Sequence, residues 1–382
     1  MTHPPEPDWD PLAPEVQADP RTAVDALREH CPVVFDRGGT ATVLRHADVL
    51  RVLHDPATFS SSVSAHPAVP NGYDPPRHTA YRRAPGPPFP PQRIRHFGPQ
   101  CRRLAVRTVQ EALTLGDVDV GRELALPFAA RVQSAFLGWP GLIQDELLDW
   151  LQRSHAATRS GDRRQTAAVA REFEAFVERV RDARTGAPPT QDISTELMHV
   201  QIDGRPLDLR ELSSVLRNWT VGEIGTIAAS VGILLHWLAT EPDWQQRLRD
   251  EPALLPAAID EVLRRDGPLP ANRRVTTRAV ELGGRPLPAG TRLSLNWIAA
   301  NRDPRALAEP ERLRIDRDPA LNLLYGTGIH VCPGAPLARL ELRLLMEEVL
   351  IRTKSIALPA GHTPTRAAPP DAGYAQLRIR LR

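Results

Sequence analysis

The residue types best suited to chemistry are concentrated in residues 325–334, where three glycines surround Cys332 and a predicted helix begins directly afterwards. Glycine allows the backbone to come close to a large flat ligand and lets amide N–H groups turn toward one atom. The positive end of the helix dipole at this position favours a thiolate over a thiol. A thiolate is a soft donor, and N–H groups directed at it tune its electron density.

The chain offers Cys332 no cysteine or histidine partner at the spacing of a structural zinc site. A lone thiolate suits an axial ligand on a metal whose other positions are already filled, as in haem. The alternative is a buried cysteine in a glycine-rich turn, which the glycine spacing and the residues 337–341 that follow disfavour.

Residues 325–341 resemble the cysteine loop of the cytochromes P-450, which are haem-thiolate monooxygenases. The family pattern is Phe-Gly-x-Gly-x-His-x-Cys-x-Gly, often followed by Leu-Ala-Arg-x-Glu. The chain matches every fixed position except the first, where Tyr325 replaces phenylalanine. The resemblance implies that Cys332 is the metal ligand of haem b, the thiolate that pushes electron density to favour O–O cleavage.

A second family pattern, Glu-x-x-Arg, occurs at Glu261 and Arg264. The same spacing recurs at positions 178, 309 and 311, where it indicates a solvated helix pair worth a few tenths of a kcal/mol. Glu261 alone lies on a helix upstream of both the Arg274 strand and the cysteine loop. The resemblance implies a structural pair that contacts the segment before that loop, through Arg312.

The carboxylates of a haem require cations. His78 and Arg82 stand four residues apart, on one face of a predicted helix start. They resemble the family's propionate-binding pair, and Arg274 and His330 match two further propionate ligands. The alternative for His78 and Arg82 is a solvated basic face. Prolines follow in residues 84–91, so this helix must end early or reform after Pro91.

The family usually places an acid directly before a threonine on its long central helix, as a pair that delivers protons during oxygen activation. Here Thr226 supplies the alcohol, but the acid position is Gly225. A carboxylate stands instead at Glu223, where glycine is expected. A spacing of three puts Glu223 and Thr226 on adjacent turns of one face, so we expect both to be catalytic. The alternative is that Glu223 is an ion-pair partner or lies at the edge of the site.

Substrate contacts are expected on the same helix at Asn218 and Val221, and further along the chain at Asn272 and Asn296. Asn218 could equally bond within its own helix. The pocket walls of the family lie on loops that vary over a fixed scaffold, so nothing in the sequence names a substrate.

The elements that must position these residues are mainly helices. Helical periodicity dominates from residue 93 to 265, and its longest segment runs from the N-cap Asp208 to Thr240. Short strands are expected at 32–37 and 40–45, and at 274–282 and 291–297 around Gly283-Gly284. A final amphipathic helix covers 336–351. We expect a mainly α protein with small β-sheets, the cytochrome P-450 fold, with haem between the long central helix and the cysteine-loop helix.

The composition argues against nucleic-acid-binding, disulfide-rich and membrane proteins. The 382 residues carry 48 basic and 46 acidic side chains, a net charge of +2, so no nucleic-acid partner is expected. Three cysteines do not form a disulfide scaffold. The start of the chain lacks a signal sequence, and the apolar stretch 227–240 is too short and too polar to span a bilayer. We expect a cytoplasmic protein whose residues 1–382 form one haem domain, with no membrane association.

The resemblance implies a monooxygenase that oxidises a small hydrophobic or aromatic substrate, such as a secondary metabolite. Dioxygen would be activated with two electrons derived from NAD(P)H. They would arrive through a ferredoxin or flavodoxin-type redox partner and its reductase. Because the acid–alcohol pair is altered, the alternative is a peroxide-driven reaction, oxidative coupling or desaturation. A third hypothesis is a haem-binding sensor that does not convert a substrate.

Overall fold

The computed structural model describes residues 6–11, 13–64, 68–83, 89–185, 192–367 and 371–382. The chain is mostly helical over these residues. The helices are α1 Pro14–Ala18, α2 Pro20–His30, α3 His46–His54, α4 Arg77–Arg83, α5 Pro91–Leu113, α6 Leu126–Leu137, α7 Gln144–Ser160, α8 Arg163–Asp182, α9 Ile193–Met198, α10 Leu209–Thr240, α11 Pro242–Asp250, α12 Leu255–Asp266, α13 Trp297–Ala300 and α14 Ala335–Arg352. Short 3-10 turns and one π-helical segment, Val120–Ala125, join some of them.

The strands of the described residues are short. They are β1 Val33–Phe35, β2 Ala41–Val43, β3 Phe59–Ser60, β4 Asp117–Asp119, β5 Gln201–Ile202, β6 Arg205–Pro206, β7 Ala271–Thr276, β8 Val280–Leu282, β9 Arg285–Leu287, β10 Arg292–Asn296, β11 Ile356–Ala357, β12 Thr365–Arg366, β13 Tyr374–Gln376 and β14 Arg378–Leu381. The largest sheet has the order β1-β2-β10-β7-β3, and smaller sheets pair the rest. Small sheets beside a helical body agree with the expected fold class.

Helix α10 forms the centre of the molecule. Asp208 is its N-cap, and a capping box joins the Asp208 side chain to the Glu211 backbone and the Glu211 side chain to the Asp208 backbone. The helix packs against α6, α8, α12 and α14, so buried residues occur on most of its faces. It is apolar and long enough to cross a membrane, as the core helix of a soluble protein also is, and 56% of its most apolar window is buried. Its burial, rather than its length, therefore explains its composition.

The main sheet corrects one sequence expectation. The Gly283-Gly284 turn does not join the two long strands; it joins β8 to β9. Strand β7 pairs antiparallel with β10, with Arg274 opposite Leu293. Trp297 begins α13 instead of ending a strand. The β8–β9 hairpin is therefore an insertion between two paired strands, a topology that local turn signals do not reveal.

The proline-rich segment follows the expected break. Helix α4 ends at Arg83, and α5 begins with Pro91 at its first turn, where the missing N–H costs nothing. Residues 84–88 lie outside the described residues. Strand β3 lies between α3 and α4 in the chain and pairs with β7. This pairing holds residues 59–60 beside the strand that carries Arg274.

Candidate functional site

The cysteine loop is a compact turn between an irregular segment and α14. The Cys332 amide donates to the Tyr325 carbonyl oxygen at 2.9 Å, which closes the loop on itself. The Val331 amide donates to the Gly328 carbonyl oxygen at 3.2 Å. Helix α14 begins three residues after Cys332, with Gly334 as its N-cap. The thiol therefore lies at a helix N-terminus, as the sequence predicts.

Gly328 is required by the close approach of α3. Its φ is +73°, in the left-handed region, and a Cβ on it would lie 2.7 Å from the Leu53 carbonyl oxygen. Side chains are excluded there on both counts. The cysteine loop is therefore pressed against the end of α3, and this contact fixes its position relative to the sheet.

Cys332 is an exposed residue, and the protein around its thiol combines partial desolvation with hydrogen-bond donors. This desolvation raises the pKa of Cys332, while backbone N–H groups of Gly334 and Ala335 and the charge of Arg82 oppose that rise. A coordinated metal ion deprotonates a thiol outright. The same N–H groups would then stabilise and tune the thiolate.

A basic cluster lies beside the cysteine loop. His78 and Arg82 come from α4, Arg274 from β7 and His330 from the loop itself. The His78 and His330 rings are 4.3 Å apart between centroids. Arg82 donates to the Val331 carbonyl oxygen. The structure thus brings together all four residues that the sequence predicts for the propionates.

This cluster has few anions to balance it. The His330 ring bonds to Ser61 through Nε2 and Oγ at 2.9 Å. Burial, together with the neighbours His78, Arg274 and Arg82, lowers the pKa of His330 to about 3. Asp74 is the acidic side chain that acts on the cluster, and it is already bonded to the amide of Ser61 at 2.9 Å. The cluster therefore favours an additional negative group.

The residues present fit a haem. Both ring nitrogens of the buried His78 lack a partner in the described residues, although buried polar atoms are normally paired. Cys332 offers a soft donor for iron, and the basic cluster offers donors for two carboxylates. A flat group with a metal at its centre and carboxylates at one edge would satisfy both at once.

The Glu261–Arg264 pair is buried beneath the segment that precedes the cysteine loop. Arg264 donates to both Glu261 carboxylate oxygens, at 2.7 and 3.0 Å. It also donates to the carbonyl oxygens of Asn301 at 2.5 Å and Pro310 at 2.6 Å. This pair therefore ties α12 to the irregular segment.

The prediction that Arg312 contacts the Glu261–Arg264 pair is wrong. Arg312 is 73% exposed and pairs with Glu309, whereas Arg317 donates to Glu261 at 2.7 Å. Arg317 is only 10% exposed. The irregular segment between α13 and the cysteine loop has no helical or strand period, so no sequence pattern distinguishes the arginine that turns inward.

Thr226 and Glu223 occupy different surroundings on α10. The Thr226 hydroxyl donates to the Gly222 carbonyl oxygen at 2.7 Å, with the Glu223 carbonyl oxygen at 3.3 Å. The Glu223 carboxyl is buried and faces Glu341 of α14. Glu341 is the acid of the Leu-Ala-Arg-x-Glu pattern, for which the sequence predicts no role. In the structure it is one of the buried residues of α14.

Gly225, at the usual acid position, faces a histidine from α7. A Cβ on Gly225 would lie 3.7 Å from Cε1 of His155. His155 Nδ1 is 3.4 Å from an Asp371 carboxylate oxygen, and Arg159 binds the other oxygen at 2.6 Å. This group was not found from the sequence because its members come from distant segments.

Two of the expected substrate contacts are used within the protein. The Asn218 amide donates to the Val69 carbonyl oxygen at 3.0 Å, which ties a loop to α10. Asn296 caps α13 by accepting from the Ala299 amide at 2.9 Å. Val221 is partly buried against the main core, and Asn272 on β7 is exposed. The short polar side chains at 218 and 296 serve backbone groups that would otherwise lack partners.

Comparison with known proteins shows the family to which the chain belongs. The family model described as cytochrome P-450 matches residues 142–376, more than half of the chain. Erythromycin C-12 hydroxylase from Saccharopolyspora erythraea is 32% identical and covers 85% of each chain. Cyclomarin C epoxidase CymV from Salinispora arenicola is 30% identical and covers 93% of this chain and 94% of the relative. A mutant of the cytochrome P-450 EryK in complex with erythromycin B superposes with a TM-score of 0.86, at 29% identity, over 95% of this chain and 96% of that one.

The chain belongs to the cytochrome P-450 family. Hydroxylase and epoxidase relatives identify it as an oxidoreductase with monooxygenase activity. The family membership implies a haem cofactor.

Proposed function

We propose that the protein is a cytoplasmic monooxygenase that hydroxylates or epoxidises an organic substrate of the secondary-metabolite type. The relatives named as hydroxylase and epoxidase support this reaction class. The observation that carries the proposal is the Cys332 thiol, placed at the start of α14 with N–H donors around it and a basic cluster beside it.

In this proposal Cys332 would bind the iron of haem b, and His78, Arg82, Arg274 and His330 would hold its two carboxylates. The bound haem supplies the activation of dioxygen. The protein contributes the fixed thiolate, whose electron density is set by the surrounding N–H groups. The basic cluster orients the group, because each donor there is held by its own helix, strand or loop.

Thr226 and Glu223 are proposed to manage protons, with the Thr226 hydroxyl on the side of α10 that faces substrate and the Glu223 carboxyl buried against α14. The Thr226 hydroxyl can exchange its helix carbonyl bond for a bond to water or substrate. General acid work requires a donor within hydrogen-bond reach, directly or through one water. Val221 and Asn272 remain proposed substrate contacts. Asn218 and Asn296 would contribute by holding the loop and the helix that they bond.

Electrons are proposed to come from NAD(P)H through a reductase and a ferredoxin or flavodoxin-type partner. Helix α5 packs along α14, which begins beside Cys332. It carries the exposed basic side chains Arg95, His96 and Arg103. A positive face near the thiolate suits an acidic electron carrier, because complementary charge raises association rates.

The test is a screen of small organic molecules for shifts in the ferric spin state of the purified protein, followed by product analysis. Compounds that shift the spectrum are incubated with a ferredoxin, its reductase and NADPH, and in parallel with hydrogen peroxide alone. Oxygenated product that depends on the redox partners supports the proposal. Product with peroxide alone would favour the peroxide-driven alternative. This alternative is tested because Gly225 stands where the family usually has an acid. Spectral shifts without any product would favour a haem-binding sensor.

A further inference from the structure

Two buried carboxyl groups face each other between α10 and α14. They belong to Glu223 and Glu341, and they lie within hydrogen-bonding reach of each other. None of their four carboxyl oxygens accepts a bond from a donor in the described residues. Both carboxyls are thus removed from water with only each other as a partner.

The charged groups around the pair do not neutralise it. Helix α5 contributes Cys101, which is fully buried and whose pKa burial raises strongly. Arg102 of α5 is bonded to Glu347 at 2.5 Å and to Glu348 at 2.6 Å. Arg343 of α14 is bonded to Glu347 at 2.7 Å. The two cations that act on Cys101 therefore bind other carboxylates, and Tyr325 is a neutral neighbour on the cysteine loop.

Two carboxylates in contact cannot both be ionised without a large cost, because the low dielectric strengthens their repulsion. Adding one proton turns the repulsion into a hydrogen bond from a carboxyl to a carboxylate, which is among the stronger kinds. The two groups then titrate as a pair instead of separately.

We propose that Glu223 and Glu341 share one proton at neutral pH, and that this pair supplies protons to the pocket beside Thr226. The supply role rests on the proposed monooxygenase function, whereas the sharing of a proton does not. Thr226 lies on the next turn of α10, and its hydroxyl is 3.3 Å from the Glu223 carbonyl oxygen.

The proton balance of the supply step is simple. An O–H bond breaks at one carboxyl of the pair and forms at a water molecule beside Thr226. The pair is left with two negative charges, and it takes a proton back from solvent. Because the doubly charged state is unfavourable, the return of a proton is strongly driven.

The pair also predicts a dependence of stability on pH. Burial raises the pKa of both carboxyls above the ordinary value of 4.5, and Glu341 adds to the rise at Glu223. The folded chain then binds more protons than the unfolded chain at pH values above about 4.5. The stabilisation is complete below that pH and is lost as the pH rises through the raised folded value.

The experiment compares four forms of the full-length haem-loaded protein by infrared spectroscopy at pH 7, in H2O and D2O. They are the wild type, Glu223→Gln, Glu341→Gln and the control Glu211→Gln. Glu211 is a buried carboxylate on the same helix, but Arg205 binds it at 2.7 and 2.8 Å, so it is ionised. The wild type should show the carbonyl band of a protonated carboxyl, which each pair variant displaces because the remaining carboxyl has lost its carboxylate partner, and which the control keeps in place.

The supply role is tested in the same variants by dioxygen consumption with NADPH, a ferredoxin and its reductase. Both pair variants should be slower by on the order of 10-fold or more, as expected for loss of a general acid, and the control unchanged. A band that is at the same frequency in both pair variants as in the wild type, or is missing from the wild type, overturns the shared proton. Unchanged dioxygen consumption overturns the supply role. If the wild type itself consumes no dioxygen, the monooxygenase proposal fails while the infrared result still decides the shared proton.

Discussion

Replacing Arg317 with alanine should destabilise the protein far more than replacing its neighbour Arg312. Arg317 donates to the Glu261 carboxylate at 2.7 Å. It also donates to backbone carbonyls of the irregular segment: Ala308 at 2.6 Å, Glu309 at 2.6 Å and Arg312 at 3.0 Å. The variant Arg317→Ala removes all of these bonds and leaves the Ala308 and Arg312 carbonyls without a donor from the described residues, whereas the Glu309 carbonyl keeps the Arg312 amide at 3.0 Å.

The free energy of unfolding lost in Arg317→Ala depends on which bonds Glu261 keeps. Breaking a buried ion pair typically costs about 3–5 kcal/mol, but Glu261 keeps its two bonds from Arg264. The lost bond to the carboxylate is worth about 1.5–3 kcal/mol, and the freed carbonyls are near enough to the surface to bind water. We therefore expect about 3 kcal/mol for Arg317→Ala. Arg312→Ala removes an exposed ion pair and should cost under about 1 kcal/mol.

The assay is urea unfolding followed by tryptophan fluorescence, with the midpoint shifts converted through a common slope. Release of haem to a scavenger protein gives a second readout, because the segment precedes the cysteine loop. Equal losses in the two variants would refute the reasoning. A larger loss in Arg312→Ala would show that Arg312 is the inward-facing partner.

Three further predictions concern other parts of the chain. Glu211→Gln should lower the free energy of unfolding at pH 7 by about 1–3 kcal/mol. Bonding to Arg205 lowers the pKa of Glu211 to about 2. The difference in unfolding free energy between wild type and variant, measured by urea titration, should therefore vanish as the pH falls from 4.5 toward 2. Gly225→Asp would place a carboxylate beside His155 and should raise the product formed per NADPH consumed; no gain would show that an acid at this position adds nothing. Gly328→Ala introduces both a backbone clash and an unfavourable φ, so it should lower haem content in purified protein, and normal haem content would contradict the proposed tight contact.

The sequence predicts the elements whose signals are local. Asp208 and Thr240 bound the long helix correctly because the cap and the following Glu-Pro are both local features. The cysteine loop and the basic residues at 78, 82, 274 and 330 converge as expected, because fixed spacing within one fold family carries them to one place. Gly283-Gly284 was recognised as a turn, but the pairing of β7 with β10 depends on contacts beyond it.

The errors concern residues whose partners lie far along the chain. Arg312 and Arg317 have the same chemistry, and only the path of an irregular segment decides which is buried. The Asn218 side-chain amide can bond to either a substrate or the backbone, and in the structure it donates to the Val69 carbonyl oxygen of a loop. Glu223 was recognised as a misplaced acid, but its partner Glu341 is more than one hundred residues away. Helical periodicity alone could not bring the two together.

The central claim is that the sulfur of Cys332 binds the haem iron, and the most direct measurement is the carbon monoxide difference spectrum of the dithionite-reduced protein. The wild type and the control Cys31→Ser should both show the strongly red-displaced band of a thiolate-bound haem. Cys332→His should lose that band while its basic cluster is intact. A colourless wild-type protein, a wild type without the displaced band, or a Cys332→His variant that keeps it would contradict the assignment.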